Sequence, residues 1–255
     1  MAWTTPADPP GAGNPLPDAW LETYVKDNML ALANIQVIED VYDTPGSHTW
    51  TKPPGLVCAL VRQVGGGGGG GGADNGPNAA QGGQAGGYCE RWFAAADLGA
   101  SEDLEVGAGG AGGADTGSSG SPGGTTTFGS PAKLTAGGGS GGDGENANPG
   151  STNTTLPVGG GSGSGAASGG TINKTGELGG FGFTWRIDTN SVRVSGRGGS
   201  GPFGTGGREL TGTSNGIAAS GAGAGGGGAA CQNTSGRTGG AGSPGMIVVT
   251  MWVLQ

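Results

Sequence analysis

The sequence predicts a mostly β and irregular fold, in which a short N-terminal helix is followed by short β-strands and a bundle of polyglycine-II helices, the glycine counterpart of polyproline II. Three observations support this class. The chain has 255 residues and 66 glycines, and 62 of the glycines lie between positions 65 and 245. Short apolar segments with many β-branched residues interrupt the glycines. Residues 16–34 carry the apolar period of an amphipathic helix.

The composition excludes several classes of protein. Charged residues make up 12% of the chain and the net charge is −8, so we expect no nucleic-acid partner. The chain contains no apolar run of about 18 residues, and we therefore expect no insertion into a membrane. Glycine does not occupy every third position, which excludes collagen. The opening MAWTTPADPPGAG lacks the basic and apolar regions of a secretory signal.

The first segment, residues 1–34, is predicted to be an arm followed by an assembly helix. Residues 1–15 are rich in proline, glycine and alanine and contain Trp3. In residues 16–34, Asp18 can cap the helix and apolar side chains recur every three or four positions. A helix this short is marginal alone, so its apolar stripe must pack on this chain, on sister copies or on another protein. The stripe and its flanking aromatic residues are Trp20, Leu21, Tyr24, Val25, Met29 and Leu32.

The remainder, residues 35–255, is predicted to be one glycine-rich β domain with display loops. Residues 55–64, GLVCALVRQV, are almost continuously apolar, which is typical of a strand buried on both faces. Residues 181–196 alternate apolar and polar positions around a short turn and predict a β-hairpin. Residues 245–255 predict an apolar strand. Shorter strands are predicted at residues 35–43, 48–52, 88–98 and 102–106, and in TTTFGS and AKLTA.

The eight consecutive glycines at positions 65–72 pose the main structural question. Glycine loses the most backbone entropy on folding, so a glycine run is commonly a flexible linker. These blocks are spaced almost entirely by alanine and serine, whereas disordered segments commonly carry charge. We therefore expect ordered polyglycine-II helices whose N–H and C=O groups bond to neighbouring helices, with alanine and serine on the outer faces. Eight such residues would extend about 25 Å.

Five segments resemble the glycine-rich domain of phage tail proteins, namely HTWTKPPGLVCALVRQVGGGGGGGG, GGYCERWFAAADL, LEVGAGGAGG, GGTTTFGSPAKLTAGGGSGG and AGSPGMIVVTMWVL. Their arrangement is also similar to the polyglycine-sandwich adhesins at the tips of T-even-type tail fibres. The opening MAWTTP with LETYVKDNMLALA resembles the start of minor tail proteins in phages of actinobacteria. The resemblance covers residues 1–64, 82–142 and 238–255.

The resemblance implies a minor tail protein of the virion, placed at the tail tip or fibre tip and made in the host cytoplasm. Its N-terminal segment would assemble onto other tail, baseplate or fibre proteins, while the glycine-rich domain would contact a host cell-surface glycan or polymer. A homo-oligomer is expected, and a trimer is favoured because a short striped helix packs well on its own kind. The residues expected at the assembly interface are Trp3, Trp20, Leu21, Tyr24, Val25, Met29 and Leu32.

Loops between rigid segments are suited to receptor binding. Aromatic rings stack on sugars, and amide or guanidinium groups bond to hydroxyl groups. The more conservative interpretation of the hairpin is that Phe183, Trp185 and Ile187 form a core face. The candidate receptor-binding residues are Phe181, Phe183, Trp185, Arg186, Phe203, Arg208, Asn146 and Asn153.

No pattern of residues indicates catalysis, so we predict that the protein is not an enzyme and needs no cofactor or metal. His48 is the single histidine and lies on a predicted strand, where a structural role is expected. Cys58, Cys89 and Cys231 lack the close spacing of metal ligands and are expected to be small buried residues. The glycine runs lack the β-α-β setting of a nucleotide site. GGDGENAN lacks the ligand spacing of a calcium loop.

Two other functions stay open. The protein could be a purely structural tail component without a receptor role, which exchanges of loops 143–157 or 197–215 with unchanged host range would support. It could also be an ice- or surface-binding polyglycine protein. That function requires a flat face of alanine, serine and threonine, and it gives no role to the apolar N-terminal stripe.

Overall fold

The fold is built from β-sheets. Strands make up 40% of the residues that the structure describes and pair in several antiparallel sheets. Residues Ala95–Asp97 form a short 3-10 turn, and no helix of seven or more residues occurs in the part of the chain that the structure describes. The structure, a computed structural model, describes residues 25, 29, 34–145, 155–157, 165–187, 190–232 and 235–255.

The predicted fold class is therefore wrong. The described fold contains neither the N-terminal helix nor a helix bundle. Of the segment predicted to be helical, residues 16–34, only Val25, Met29 and Asn34 are among the described residues, so most of that prediction lies outside them. The described glycine amides bond to other segments of the chain and not along their own, so the glycine blocks contain no α-helical hydrogen bonds.

The strands, numbered along the chain, are β1 (Ile35–Tyr42), β2 (Gly46–Thr51), β3 (Leu56–Val64), β4 (Asn78–Ala79), β5 (Tyr88–Ala94), β6 (Ser101–Val106), β7 (Thr126–Phe128), β8 (Leu134–Ala136), β9 (Thr155–Pro157), β10 (Ala167–Ser168), β11 (Ile172–Lys174), β12 (Phe183–Ile187), β13 (Asn190–Val194), β14 (Phe203–Thr205), β15 (Ser220–Ala222), β16 (Ala230–Cys231) and β17 (Met246–Leu254). Each strand predicted from the sequence overlaps one of these, so the predicted strand positions are confirmed.

Two five-stranded sheets lie at one end of the glycine region. The first has the order β1–β17–β3–β5–β11, and the second has the order β10–β8–β7–β6–β2. Strand β3 leads into the glycine region and β17 follows it, and these two strands pair with Val64 opposite Met246. The chain therefore leaves and re-enters the glycine region at neighbouring points of one sheet.

The apolar core lies between the facing sides of these two sheets. Val61 and Val249 of the first sheet are fully buried, as are Trp50 and Phe128 of the second. The rings of Trp50 and Phe128 lie 6.2 Å apart in a tilted arrangement. Burying each large apolar side chain stabilises the fold by about 1.5–3 kcal/mol, so this core accounts for the sheets without help from the glycine region. The other face of β3 is only partly buried, which corrects the prediction of burial on both faces.

The glycine region is organised around residues 65–72, here called the central glycine segment, which are completely buried. Its N–H groups donate to three neighbouring segments in a repeating order, with N···O distances of 2.8–2.9 Å. Every third amide donates to the same neighbouring segment. Positions 65, 68 and 71 donate to residues 81–87, and positions 66, 69 and 72 donate to residues 118–124. Positions 67 and 70 donate to residues 240–243.

The carbonyl groups of the central glycine segment accept hydrogen bonds from three further segments. Positions 66, 69 and 72 accept from residues 139–145, positions 67 and 70 from residues 110–113, and positions 68 and 71 from residues 226–229. The segment is thus bonded to six neighbours. The prediction that neighbouring glycine segments satisfy one another's backbone groups is confirmed by these bonds, although they do not make a helix bundle. A buried amide without a partner would cost about 1–3 kcal/mol.

Steric crowding explains why these positions must be glycine. A Cβ atom added to Gly68 would lie 2.0 Å from the Ser140 carbonyl oxygen, and one added to Gly69 would lie 2.0 Å from the Ala111 oxygen. Each of the eight positions meets a backbone carbonyl oxygen at 2.2 Å or less. In one block alanine occurs where the backbone faces outward: Ala108 and Ala111 are exposed, whereas Gly110 between them is buried. In other blocks alanine is fully buried, as at Ala85 and Ala224, so the expectation that alanine lies on outer faces is only partly correct.

Candidate binding surface

The hairpin of β12 and β13 places its aromatic side chains in solvent. Phe183 pairs with Val194 and Trp185 pairs with Val192, so all four side chains lie on one face. Phe183 is 39% exposed, Trp185 48% and Val192 59%. The conservative prediction that Phe183 and Trp185 belong to a core face is therefore wrong. The side chain of Ile187, the third residue of that prediction, lies outside the described residues.

The opposite face of the hairpin is polar and buried, which explains this inversion. Thr184 and Arg193 are each only 4% exposed. The Arg193 guanidinium donates from Nη1 to the Cys231 carbonyl oxygen at 3.3 Å and from Nη2 to the Ser191 carbonyl oxygen at 3.3 Å. Burial lowers the pKa of Arg193 below its usual value. Because the neighbouring backbone offers carbonyl groups and few apolar side chains, polar residues turn inward and the aromatic residues turn outward.

The exposed face continues from the hairpin onto the glycine segment that precedes it. In residues 175–182, Thr175, Leu178 and Phe181 are exposed at a three-residue spacing, while Gly179 and Gly182 are buried. Glu177 of this segment is exposed as well. Leu178 and Phe181 are both largely in solvent. Phe181 stands two residues before Phe183, so the exposed apolar side chains follow one another along the chain into β12.

Two arginines extend this surface across the adjoining segments. The Gly180 amide donates to the Arg197 carbonyl oxygen at 2.7 Å, and the Gly198 amide donates to the Gly207 carbonyl oxygen at 2.7 Å, so three segments run side by side. Arg197 and Arg208, which both have exposed side chains, lie on the second and third of these segments. We call this set of exposed residues the aromatic–arginine surface: Leu178, Phe181, Phe183, Trp185, Val192, Arg197 and Arg208.

The charge distribution singles out the same region. Residues 172–210 contain five of the eleven lysines and arginines but only three of the nineteen acidic residues. This stretch carries a net charge of +2, whereas the rest of the chain carries −10. One of these cations, Arg193, is buried on the opposite face of the hairpin, whereas Lys174, Arg197 and Arg208 are exposed. Exposed cations beside aromatic rings are suited to contact with an anionic ligand.

The structure brings four of the candidate receptor-binding residues onto this surface, namely Phe181, Phe183, Trp185 and Arg208. Phe203 instead is partly buried, with its ring 5.8 Å from that of Tyr88, so it contributes to packing. Arg186 lies in β12, and its side chain lies outside the described residues, as do Asn146 and Asn153 altogether.

Sequence reasoning missed Leu178, Val192 and Arg197. The signal that would have found Val192 is its cross-strand pairing with Trp185. The signal for Leu178 and Arg197 is their three-residue spacing from Phe181 and Val194, which share a segment with them. The local excess of positive charge in residues 172–210 would also have indicated the region.

The assembly interface predicted at the N-terminus lies mostly outside the described residues. Trp3, Trp20, Leu21, Tyr24 and Leu32 are all outside them. Val25 and Met29 are described, and both side chains are exposed, at 40% and 65%. These exposed apolar side chains are available to a partner.

The residues considered for chemistry serve structural contacts. His48 Nε2 lies 2.7 Å from the Thr44 carbonyl oxygen. The neighbouring Ser47 hydroxyl donates instead to Glu105 Oε2 at 2.6 Å, on the opposite face of β2. No cluster of three potential metal ligands is present in the described ranges. Likewise, no helix there has the length and apolar character needed to span a membrane.

The three cysteines are free thiols. Cys89 and Cys231 are buried, as the sequence predicts, but Cys58 is partly exposed. Burial raises the pKa of the Cys58 and Cys89 thiols above the ordinary value. The raised pKa values keep both thiols protonated and unreactive near neutral pH.

Comparison with known proteins places the chain in a family. A family model described as a glycine-rich domain matches residues 43–252, which is most of the chain. The protein belongs to this glycine-rich domain family. The matched range begins just after β1 and ends in β17, so it includes the second large sheet, most of the first sheet apart from β1, and the glycine region. The aromatic–arginine surface lies entirely within this glycine-rich domain. No match was found among curated proteins.

Proposed function

We propose that this protein is a minor tail protein of a phage virion, located at the tail or fibre tip, and that it contacts the host surface through the aromatic–arginine surface. The observation that carries the proposal is the outward display of Phe183 and Trp185. Exposed aromatic rings cost solvation free energy unless a partner covers them, so a contiguous set of them indicates a binding surface. The resemblance to tail proteins supplies the biological setting.

The hydrogen-bonded backbone segments beneath the aromatic–arginine surface also favour a binding function. The hairpin adjoins segments whose backbone groups are bonded to one another at 2.7–3.1 Å through the glycine region. A rigid base lets side chains meet a ligand without a large further loss of conformational entropy. The N-terminal segment, residues 1–34, would attach the domain to other tail proteins through its apolar side chains. Self-association of this segment into a trimer is part of the proposal.

The location is tested by electron microscopy of intact particles with gold-labelled antibodies raised against the full chain. The proposal predicts label at the tail or fibre tip. Label on the capsid, or particles that carry none of the protein, would contradict it. Deletion of residues 1–34 is expected to leave a folded domain that is not incorporated into particles. Normal incorporation would show that attachment uses another part of the chain.

The receptor role is tested by adsorption of particles that carry Trp185→Ala. Loss of one stacking aromatic ring is expected to lower the adsorption rate constant about tenfold, since aromatic contacts contribute about 0.5–1.5 kcal/mol beyond their buried area. The matched control is Trp92→Ala, because Trp92 is also exposed but lies on β5 beside Trp252. Equal adsorption by both variants and the unmodified particles would favour a purely structural tail protein.

A further inference from the structure

We propose that the ligand of the aromatic–arginine surface is an anionic polysaccharide of the host surface, whose sugar rings stack on Phe183 and Trp185 and whose carboxylate or phosphate groups bind Arg197 and Arg208. This inference rests on the proposed function and assigns it a class of ligand. It is drawn from the way the structure combines aromatic rings with unpaired positive charge on one face.

The two guanidinium groups are available to an anion. Arg197 Nη2 donates to the Ser200 hydroxyl at 3.0 Å, which uses one of its five N–H donors. Arg208 makes no side-chain hydrogen bond or salt bridge to any residue that the structure describes. Because their segments are joined by the hydrogen bond from the Gly198 amide to the Gly207 carbonyl oxygen, these two exposed cations lie on neighbouring segments. Guanidinium groups match the planar geometry of carboxylate and phosphate oxygens.

Two exposed acidic residues, Glu177 and Glu209, lie among these cations, but no salt bridge joins either of them to Arg197 or Arg208 in the described residues. The Glu177 carboxylate accepts a hydrogen bond from the Ser200 amide at 2.8 Å, which holds it against the backbone. Glu209 is exposed beside Arg208, and Lys174 is exposed at the start of the region. Residues 172–210 have a net charge of +2 against −10 elsewhere, although one of their cations, Arg193, is buried. The exposed cations Lys174, Arg197 and Arg208 still outnumber the exposed Glu177 and Glu209, so this surface is more favourable to an anionic polymer than the acidic remainder of the chain.

The length of the aromatic row indicates a polymer and not a single small molecule. Phe181, Phe183 and Trp185 occupy alternate positions of extended backbone, and the row from the first to the third spans about 13 Å at 3.3 Å per residue. A chain of several sugar rings can contact all three, and the carboxylate or phosphate groups of an anionic chain bind Arg197 and Arg208 more strongly than the hydroxyl groups of a neutral one. A nucleic acid also carries anionic groups and stacking rings, and it is therefore an arm of the test.

The inference is tested with the purified full chain and three immobilised probes: polygalacturonate, which is anionic, dextran, which is neutral, and single-stranded DNA. We expect binding to polygalacturonate at low ionic strength and little retention on dextran or DNA. The double variant Arg197→Gln, Arg208→Gln is expected to lower polygalacturonate affinity about tenfold or more, as loss of two charge-assisted contacts requires. Trp185→Ala is expected to lower it about fivefold.

Two variants control for general effects of charge and of aromatic loss. Arg91→Gln removes an exposed arginine of β5, and Trp92→Ala removes the exposed tryptophan next to it. Both are expected to bind polygalacturonate as the unmodified chain does. Thermal unfolding of every variant verifies that it is folded. Unchanged binding by the folded double arginine variant, equal retention on dextran, or stronger retention on DNA would overturn the inference.

This outcome is separable from that of the proposed function. If particles need Trp185 for adsorption but the double arginine variant adsorbs normally, the receptor role stands and the anionic class of ligand is wrong. If gold label is absent from the tail but polygalacturonate binding depends on Arg197 and Arg208, the location is wrong and the ligand class stands.

Discussion

The substitution Gly68→Ala probes the centre of the glycine region. The Gly68 amide donates to the Gln84 carbonyl oxygen at 2.8 Å, and its carbonyl accepts from the Gly226 amide at 2.9 Å. The new methyl group would start 2.0 Å from the Ser140 carbonyl oxygen. Gly68 thus touches three different segments, and no direction is open for the added carbon atom.

The cost follows from this geometry. An ordinary contact between a Cβ atom and an oxygen is 3.4 Å or longer, so the segments must separate by more than 1 Å. Such a shift breaks both bonds of Gly68, and each broken bond leaves buried groups whose desolvation costs about 1–3 kcal/mol. Alanine returns up to about 1 kcal/mol by restricting the unfolded chain. The net loss is about 1–5 kcal/mol, compared with a typical stability of about 5–15 kcal/mol.

Urea unfolding monitored by tryptophan fluorescence measures this loss. The matched control is Gly201→Ala, because a Cβ atom added at Gly201 meets nothing closer than 3.8 Å. The control is expected to change the free energy of unfolding by less than about 0.5 kcal/mol. If Gly68→Ala is as stable as Gly201→Ala, the close approach of the glycine segments is refuted.

Two further predictions concern titratable groups. At pH 8 a thiol reagent is expected to modify Cys58 slowly and to leave Cys89 and Cys231 unmodified until the protein is unfolded, because only Cys58 is partly exposed. Mass spectrometry of the labelled protein measures the reaction of each thiol. Rapid reaction of all three thiols would contradict this prediction. Burial and the hydrogen bond with Glu90 raise the pKa of Tyr88 above 10.0, so its contribution to stability is complete below pH 10 and is lost as the pH rises further. Tyr88→Phe is expected to flatten the alkaline decline in stability, and an unchanged slope would show that Tyr88 is not the group responsible.

The sequence predicted where the strands are but not how the region between them is organised. Apolar runs with β-branched residues located β3 and β17, because burial between sheets requires such residues. Their pairing, with Val64 opposite Met246, brings together residues separated by the whole glycine region. Local patterns hold no information on that pairing. The glycine run at 65–72 correctly predicted bonding between neighbouring segments, but it could not show which six segments would be the neighbours.

The hairpin shows why half of the binding surface could be predicted. Alternation correctly put Phe183 and Trp185 on one face. The buried face of the hairpin was determined by the segment that packs against it. The sequence could not show that this segment would present backbone carbonyl groups that accept hydrogen bonds from Arg193. The position of Arg197 could not be predicted from alternation. Its segment lies beside that of Phe181 through hydrogen bonds between segments that are separated in sequence.

Hydrogen exchange of the amides at positions 65–72, measured on the full chain in its assembled form, tests the central claim most directly. Each of these eight amides donates to a carbonyl oxygen within 2.9 Å in a buried position, so we expect all eight to exchange as slowly as the amides of β3. Exchange at the rate of an unstructured glycine peptide would contradict the account, because the six neighbouring segments would then not be held by this one.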